Sequence, residues 1–145
     1  SLITSSVSAA TPAVSLKRLQ IDSMFGVLKC TYLSPVWLYG ELLDTSAIKA
    51  TMVDFVTKLP VLAGRQTGDL ITLTNAGARF SFMEARSGSA HDFRRREDVI
   101  KGELLDLPSL PCSDGKQPLF TVSVTNFVDG TAAFSICLTH TIADG

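Results

Sequence analysis

Two alternating runs dominate what this chain can become. Phe120-Thr121-Val122-Ser123-Val124-Thr125-Asn126-Phe127 alternates, placing apolar and polar side chains on opposite faces from Phe120 to Thr125. Thr131 to Thr139 follows, with Ala133, Ser135, Cys137 and Thr139 set against Ala132, Phe134, Ile136 and Leu138. Between them, Val128-Asp129-Gly130 supplies the Asp-Gly pair that a tight reversal favours. A period of two is the period of a strand, so the pair predicts a β-hairpin. Both faces of the second run are fairly apolar, which predicts a strand central in its sheet.

The rest of the chain predicts helices laid against that sheet. Asp44-Thr45-Ser46 offers helix-capping side chains. Apolar residues then recur at Ile48, Met52, Phe55, Val56 and Leu59, leaving Lys49, Asp54 and Lys58 on the wet side until Pro60 ends the helix. Leu16–Ile21, Val27–Leu33 and Val36–Tyr39 read as extended, with Pro35 dividing the last two. Leu70–Thr74 and Ala78–Met83, joined by Asn75-Ala76-Gly77, read as a second hairpin, with Phe80 and Phe82 on one face. Ser87 to Lys116 turns polar and rich in Pro and Gly, with Leu104, Leu105 and Leu107 expected to tuck it onto the core. Ser1 to Val14, rich in Ser, Ala and Thr, reads as a disordered lead-in.

At 145 residues the chain has room for one domain with a sizeable core. Thirteen basic against fourteen acidic residues give a net charge of −1, without the basic excess of a nucleic-acid binder. Arg94-Arg95-Arg96 is followed at once by Glu97-Asp98, so it reads as a solvated, self-neutralising loop or helix start. Cys30, Cys112 and Cys137 are odd in number and form no CxxC pair. This argues against a metal site or a disulfide framework and for a reducing, cytoplasmic setting. No run reaches the roughly eighteen apolar residues of a membrane helix.

The last strand delivers His140-Thr141-Ile142-Ala143-Asp144-Gly145. With two His, ten Asp and ten Gly in 145 positions, a chance HxxxDG is expected about 0.01 times in a chain of this makeup. A strand end holds the backbone rigid while letting a side chain reach a cleft. An imidazole titrates near neutrality and is suited to general base chemistry. His91, in a polar loop, carries no such context.

In this motif the sequence resembles the BAHD acyltransferases. The resemblance extends to Pro118–Phe127 with Gly130 before the motif, to Leu59-Pro60-Val61-Leu62-Ala63-Gly64-Arg65 after the helix, to Ile71–Glu84, and loosely to Gln20-Ile21-Asp22. It implies an α/β (α+β) fold, a mixed β-sheet with flanking helices like one half of chloramphenicol acetyltransferase. It implies residues 1–145 as a single N-terminal half-domain whose C-terminal half, bearing a second Asp-Phe-Gly-Trp-Gly signature, is absent from this sequence. It implies transfer of an acyl group from acyl-CoA, as co-substrate with no bound cofactor or metal, to the hydroxyl or amine of a small acceptor. His140 would be the catalytic base in a ternary complex. Asp144 would hold the motif loop, with Gly145 allowing the sharp turn; orientation of His140 by Asp144 is the alternative. Pro35 and Trp37 match the acceptor-pocket border, and Arg65 would anchor the chain after the helix by hydrogen bonds.

A half-domain alone would lack the oxyanion donors and much of the donor surface, so it is expected to turn over poorly and to be marginally soluble. Two other readings stay open. One is a condensation-domain-like relative, against which Thr139 stands where such domains carry a second histidine. The other is a non-catalytic half that binds a partner.

Overall fold

The computed structural model describes residues 2–10, 18–20, 32–108 and 114–142. The described strands form a six-stranded sheet and a three-stranded one. In the larger sheet β1 (Leu2–Val7), β7 (Ala78–Arg86), β8 (Phe120–Phe127) and β9 (Ala132–Thr139) lie in that order. β3 (Tyr32–Leu33) and β4 (Val36–Tyr39) both pair with β9. β7 runs parallel to β8 and every other pairing in this sheet is antiparallel, so the sheet is mixed. The smaller sheet joins β2 (Arg18–Gln20), β6 (Leu70–Thr72) and β5 (Arg65–Thr67). Helix α1 (Thr45–Lys58), a 3-10 turn (Pro60–Ala63) and the short α2 (Arg96–Lys101) complete the elements that matter here.

The expected hairpin is β8–β9, with Phe120 opposite Leu138 and Asn126 opposite Ala132. β9 is central, between β8 and the β3–β4 edge. Its two faces differ. Ser135, Cys137 and Thr139 are buried, whereas Phe134, Ile136 and Leu138 are half-buried.

Helix α1 begins where the capping residues predict. Asp44 accepts from the Ala47 amide at 3.0 Å, satisfying one of the four free donors of the first turn. Asp44→Ala is expected to cost about 1 kcal/mol in urea unfolding, with an unchanged denaturant slope. Met52 and Val56 are buried against Phe80, Val122 and Val124. Phe55 and Leu59, on the same stripe, remain 46% and 44% exposed.

Three expectations give way to the tertiary structure. Residues 2–7 are not a disordered lead-in: they form β1, in register with β7 from Leu2–Met83 to Val7–Ala78. The hydroxyls that make this segment look unstructured are used, Thr4 with Ser81 and Ser6 with the Ala76 carbonyl. Residues 11–14 lie outside the described residues. Leu70–Thr74 and Ala78–Met83 do not pair with each other. β6 turns back on β5 through Gly68-Asp69, the closer partner, with Gly68 at φ +58° as such a two-residue turn requires. β7 crosses into the main sheet, where Phe80 reaches the core. The Asn75-Ala76-Gly77 link becomes a clamp: the Asn75 side chain accepts from the Ala9 amide at 2.8 Å and donates to its carbonyl. Finally, Leu104 is buried as expected, but Leu107 is 42% exposed.

What holds the 103–108 segment down is polar as much as apolar. The Thr121 hydroxyl donates to the Asp106 carbonyl at 3.0 Å, and the Asp106 amide to Ser123 Oγ at 3.2 Å. Ser81 donates to the Asp106 carboxylate, which also sits 2.8 Å from Arg79 Nε. Ser135 donates to the Leu104 carbonyl at 3.1 Å. The buried hydroxyls of Ser81, Thr121, Ser123 and Ser135 are therefore paired, as buried polar groups generally are. Of the expected strand Leu16–Ile21, Arg18–Gln20 is a strand. Of Val27–Leu33, Tyr32–Leu33 is. The remainder of both lies outside the described residues.

Candidate active site

His140 follows β9 directly, and the backbone beneath it is fixed. The Thr139 amide donates to the Leu119 carbonyl at 3.0 Å, and the Ile142 amide donates back to the Thr139 carbonyl at 3.2 Å. Thr139 is fully buried, and its hydroxyl lies 3.2 Å from that of Thr141. The turn is thus tied to a strand that pairs on both sides, which is how a side chain is held steady at a strand end. The imidazole is half-buried. Its Nδ1 is shielded from solvent and without a hydrogen-bond partner among the described residues. Nε2 is thereby left as the nitrogen through which the ring meets its surroundings.

Leu138 and Ile142, two residues before and two after His140, both line an apolar groove of about 710 Å³. Its other walls are Ile48, Met52, Phe55 and Leu59 of the α1 side and Phe134 and Ile136 of β9. The sequence carries the signal for this groove, in that the α1 stripe and the β9 alternation each supply one wall. The incomplete meeting of the two walls appears only in three dimensions. An open apolar groove of this kind is expected to bind an apolar reporter dye in the folded chain, while Ile136→Glu, a half-buried lining position, abolishes the fluorescence gain.

The other site residues are not gathered around His140. Trp37 pairs with Phe134 in register and its ring lies 5.6 Å from the Phe134 ring. The Pro35 carbonyl accepts from Ile136. Along β9 these positions are six and four residues from His140, roughly 20 and 14 Å at strand spacing. Trp37 is 44% exposed. Asp144 and Gly145 lie outside the described residues, as do Cys30 and Cys112. Cys137 is buried, and burial pushes its thiol above the usual range, so it stays protonated at neutral pH. Among the described residues no three His, Cys, Asp or Glu side chains are grouped to hold a metal ion. No helix among them is long and apolar enough to cross a membrane.

Arg65 anchors the chain after the helix. Its Nη1 donates to the Gly64 and Gly77 carbonyls, both at 2.8 Å. His91 sits in a 3-10 turn (Ala90–Asp92), its amide capped by Ser89. Arg95 and Arg96 stand at the start of α2, with Arg95 Nε 3.6 Å from Asp98.

Comparison with known proteins places this geometry. A family model described as the Transferase family matches residues 32–145. No curated protein matches over the sequence. Among solved structures, vinorine synthase superposes with a TM-score of 0.75 at 19% identity, covering 99% of this chain and 39% of its own. TRI101 of F. graminearum, solved with coenzyme A and T-2 mycotoxin, superposes with a TM-score of 0.56 at 16% identity, covering 88% of this chain and 36% of its own. A condensation domain of the enacyloxin polyketide synthase gives 0.54 at 18% identity, covering 93% and 28%. These likenesses establish the acyltransferase-type mixed α+β fold. The chain spans about two-fifths of the length of the first of them.

Proposed function

The chain belongs to the Transferase family, the BAHD family of the sequence resemblance, and on that premise we propose that it is the N-terminal part of an acyl-CoA-dependent acyltransferase. The acceptor is the hydroxyl or amine of a small molecule. His140 is the general base, and the observation that carries the assignment is its position: a half-buried imidazole on a doubly paired strand end, with Nδ1 shielded and Nε2 left to meet the acceptor. As the acceptor oxygen attacks the thioester carbonyl, the new C–O bond forms and the C–S bond breaks. The proton passes from the acceptor to Nε2 and then to the departing thiolate. Donor and acceptor are bound together, and Cys137, buried and protonated, takes no covalent part. The coenzyme A in the TRI101 structure supports acyl-CoA as the donor.

A second half of the protein supplies the rest of the channel and the oxyanion donors. Asp144 and Gly145 shape the turn after His140, and the protein works in the cytoplasm. A condensation-domain-like reading draws on the polyketide-synthase neighbour. It differs in its donor, an acyl group on a carrier protein rather than on free coenzyme A. The full-length protein is expected to release free thiol from an acyl-CoA only when an acceptor alcohol or amine is present. Release that ignores the acceptor would mean hydrolysis, and turnover restricted to carrier-bound acyl groups would favour the condensation-type donor. A full-length protein inert with every donor would leave the half-domain as a binding module.

A further inference from the structure

At the same end of the large sheet as His140, but three strands across it, a second cleft is built from charged and hydroxyl side chains. It has a volume of about 320 Å³ and is lined by Thr4, Ser5 and Ser6 of β1, Arg65, Arg79 and Pro118, with Gly77 and Ala78 in its floor. That volume is at the small end of ligand sites. Two guanidinium groups face one cleft, and none of its lining side chains is acidic.

Both cations are held in place by the fold. Arg65 is tied through Nη1 to the Gly64 and Gly77 carbonyls, with Nη2 3.5 Å from the Ala76 carbonyl. Arg79 is drawn on its Nε side by Asp106, 2.8 Å away, itself pinned by Ser81, Ser123 and Thr121. No described residue accepts from the terminal Nη groups of Arg79. Gly77 lets β1 approach closely here: at φ +100°, an added Cβ would collide with Ser6 Oγ. The two cations also oppose each other, because burial first and the charge of Arg79 second hold the Arg65 guanidinium below its ordinary value. A fold that fixes two like charges beside one small polar cleft leaves a cost that a bound anion would remove.

We propose that the Arg65–Arg79 cleft beside β1 is a binding site for a phosphate group. The Nη fork of Arg79, which no described residue uses, matches two oxygens of a phosphate, and Arg65, its Nη1 protons already given to carbonyls, adds its charge beside it. The site stands apart from the proposed acyl transfer and does not depend on it. The group could be inorganic phosphate or a phosphomonoester on a larger molecule.

The test is a titration of the ¹⁵N-labelled chain, following the Nε–Hε signals of Arg65 and Arg79. Inorganic phosphate is expected to shift both signals saturably, whereas chloride at matched ionic strength does not. Arg79→Lys, which keeps the charge and loses the fork, should weaken the response roughly tenfold. Phenyl phosphate identifies the source: tighter binding than inorganic phosphate points to a phosphomonoester on an organic ligand, equal or weaker binding to the free ion. Phosphate no more effective than chloride overturns the proposal. So does a folded Arg79→Gln chain that responds to phosphate as the unaltered one does. The titration of the unaltered chain decides the question even where a variant fails to fold.

Discussion

In the full-length protein, His140→Ala lowers kcat for acyl transfer by about 10²–10⁴-fold, the range that general base catalysis supplies. KM for donor and acceptor should change little, because the imidazole acts on a proton that moves only as the transition state forms. Stability should also hold. The ring is half-buried and its Nδ1 has no partner among the described residues, so the substitution breaks no hydrogen bond with them. Thermal unfolding of the variant is the control that separates a lost base from a lost fold. Retention of more than a tenth of the wild-type kcat would remove His140 from the role. Pre-steady-state kinetics give a second check, since direct transfer in a ternary complex shows no stoichiometric burst of coenzyme A before acceptor is added.

Phe80→Ala should destabilise the chain by about 3–5 kcal/mol, as large-to-small changes of a buried aromatic do. Phe80, the third residue of β7, is 1% exposed. It stands opposite Val122 on one side and Ser5 on the other, with its ring 6.1 Å from that of Phe82 and beneath Lys49 Nζ at 5.9 Å. Truncation leaves a hole between α1 and three paired strands, which cannot close without shifting the sheet. For a domain of this size the fall in Tm should be about 10 °C or more. Val128→Ala, at a turn position 64% exposed, should stay within about 0.5 kcal/mol of the parent. Near-equal midpoints for the two variants would mean that the core is not organised around β7.

Features written in short-range spacing are legible in the sequence. The 3.6-residue stripe and the Asp44 cap mark α1, the period-two runs around Asp129-Gly130 mark β8–β9, and the polar stretch after Ser87 is the loop region that crosses between β7 and β8. His140 stands out for the same reason, a histidine set by spacing at the end of an unmistakable strand. The anchoring role of Arg65 follows from the family-like segment after the helix. Each of these depends on neighbours a few residues away, which is the distance over which propensity and periodicity act.

Other features required the chain to be folded. The Gly68-Asp69 turn that folds β6 onto β5 is local, but Asn75-Ala76-Gly77 looks equally like a turn, and the choice between them shows only once β7 joins the main sheet and buries Phe80. Nothing in a run of Ser and Thr announces β1, because its hydroxyls find partners some seventy residues away at Ala76 and Ser81. The groove beside His140 and the paired cations Arg65 and Arg79 arise in the same way, from elements distant in sequence that the sheet brings together. The amino-acid order by itself determined α1, the β8–β9 hairpin and the motif, since those interactions close within a turn or a hairpin. Only the tertiary structure decided strand partners and cavities, since those are set by which faces can be buried together.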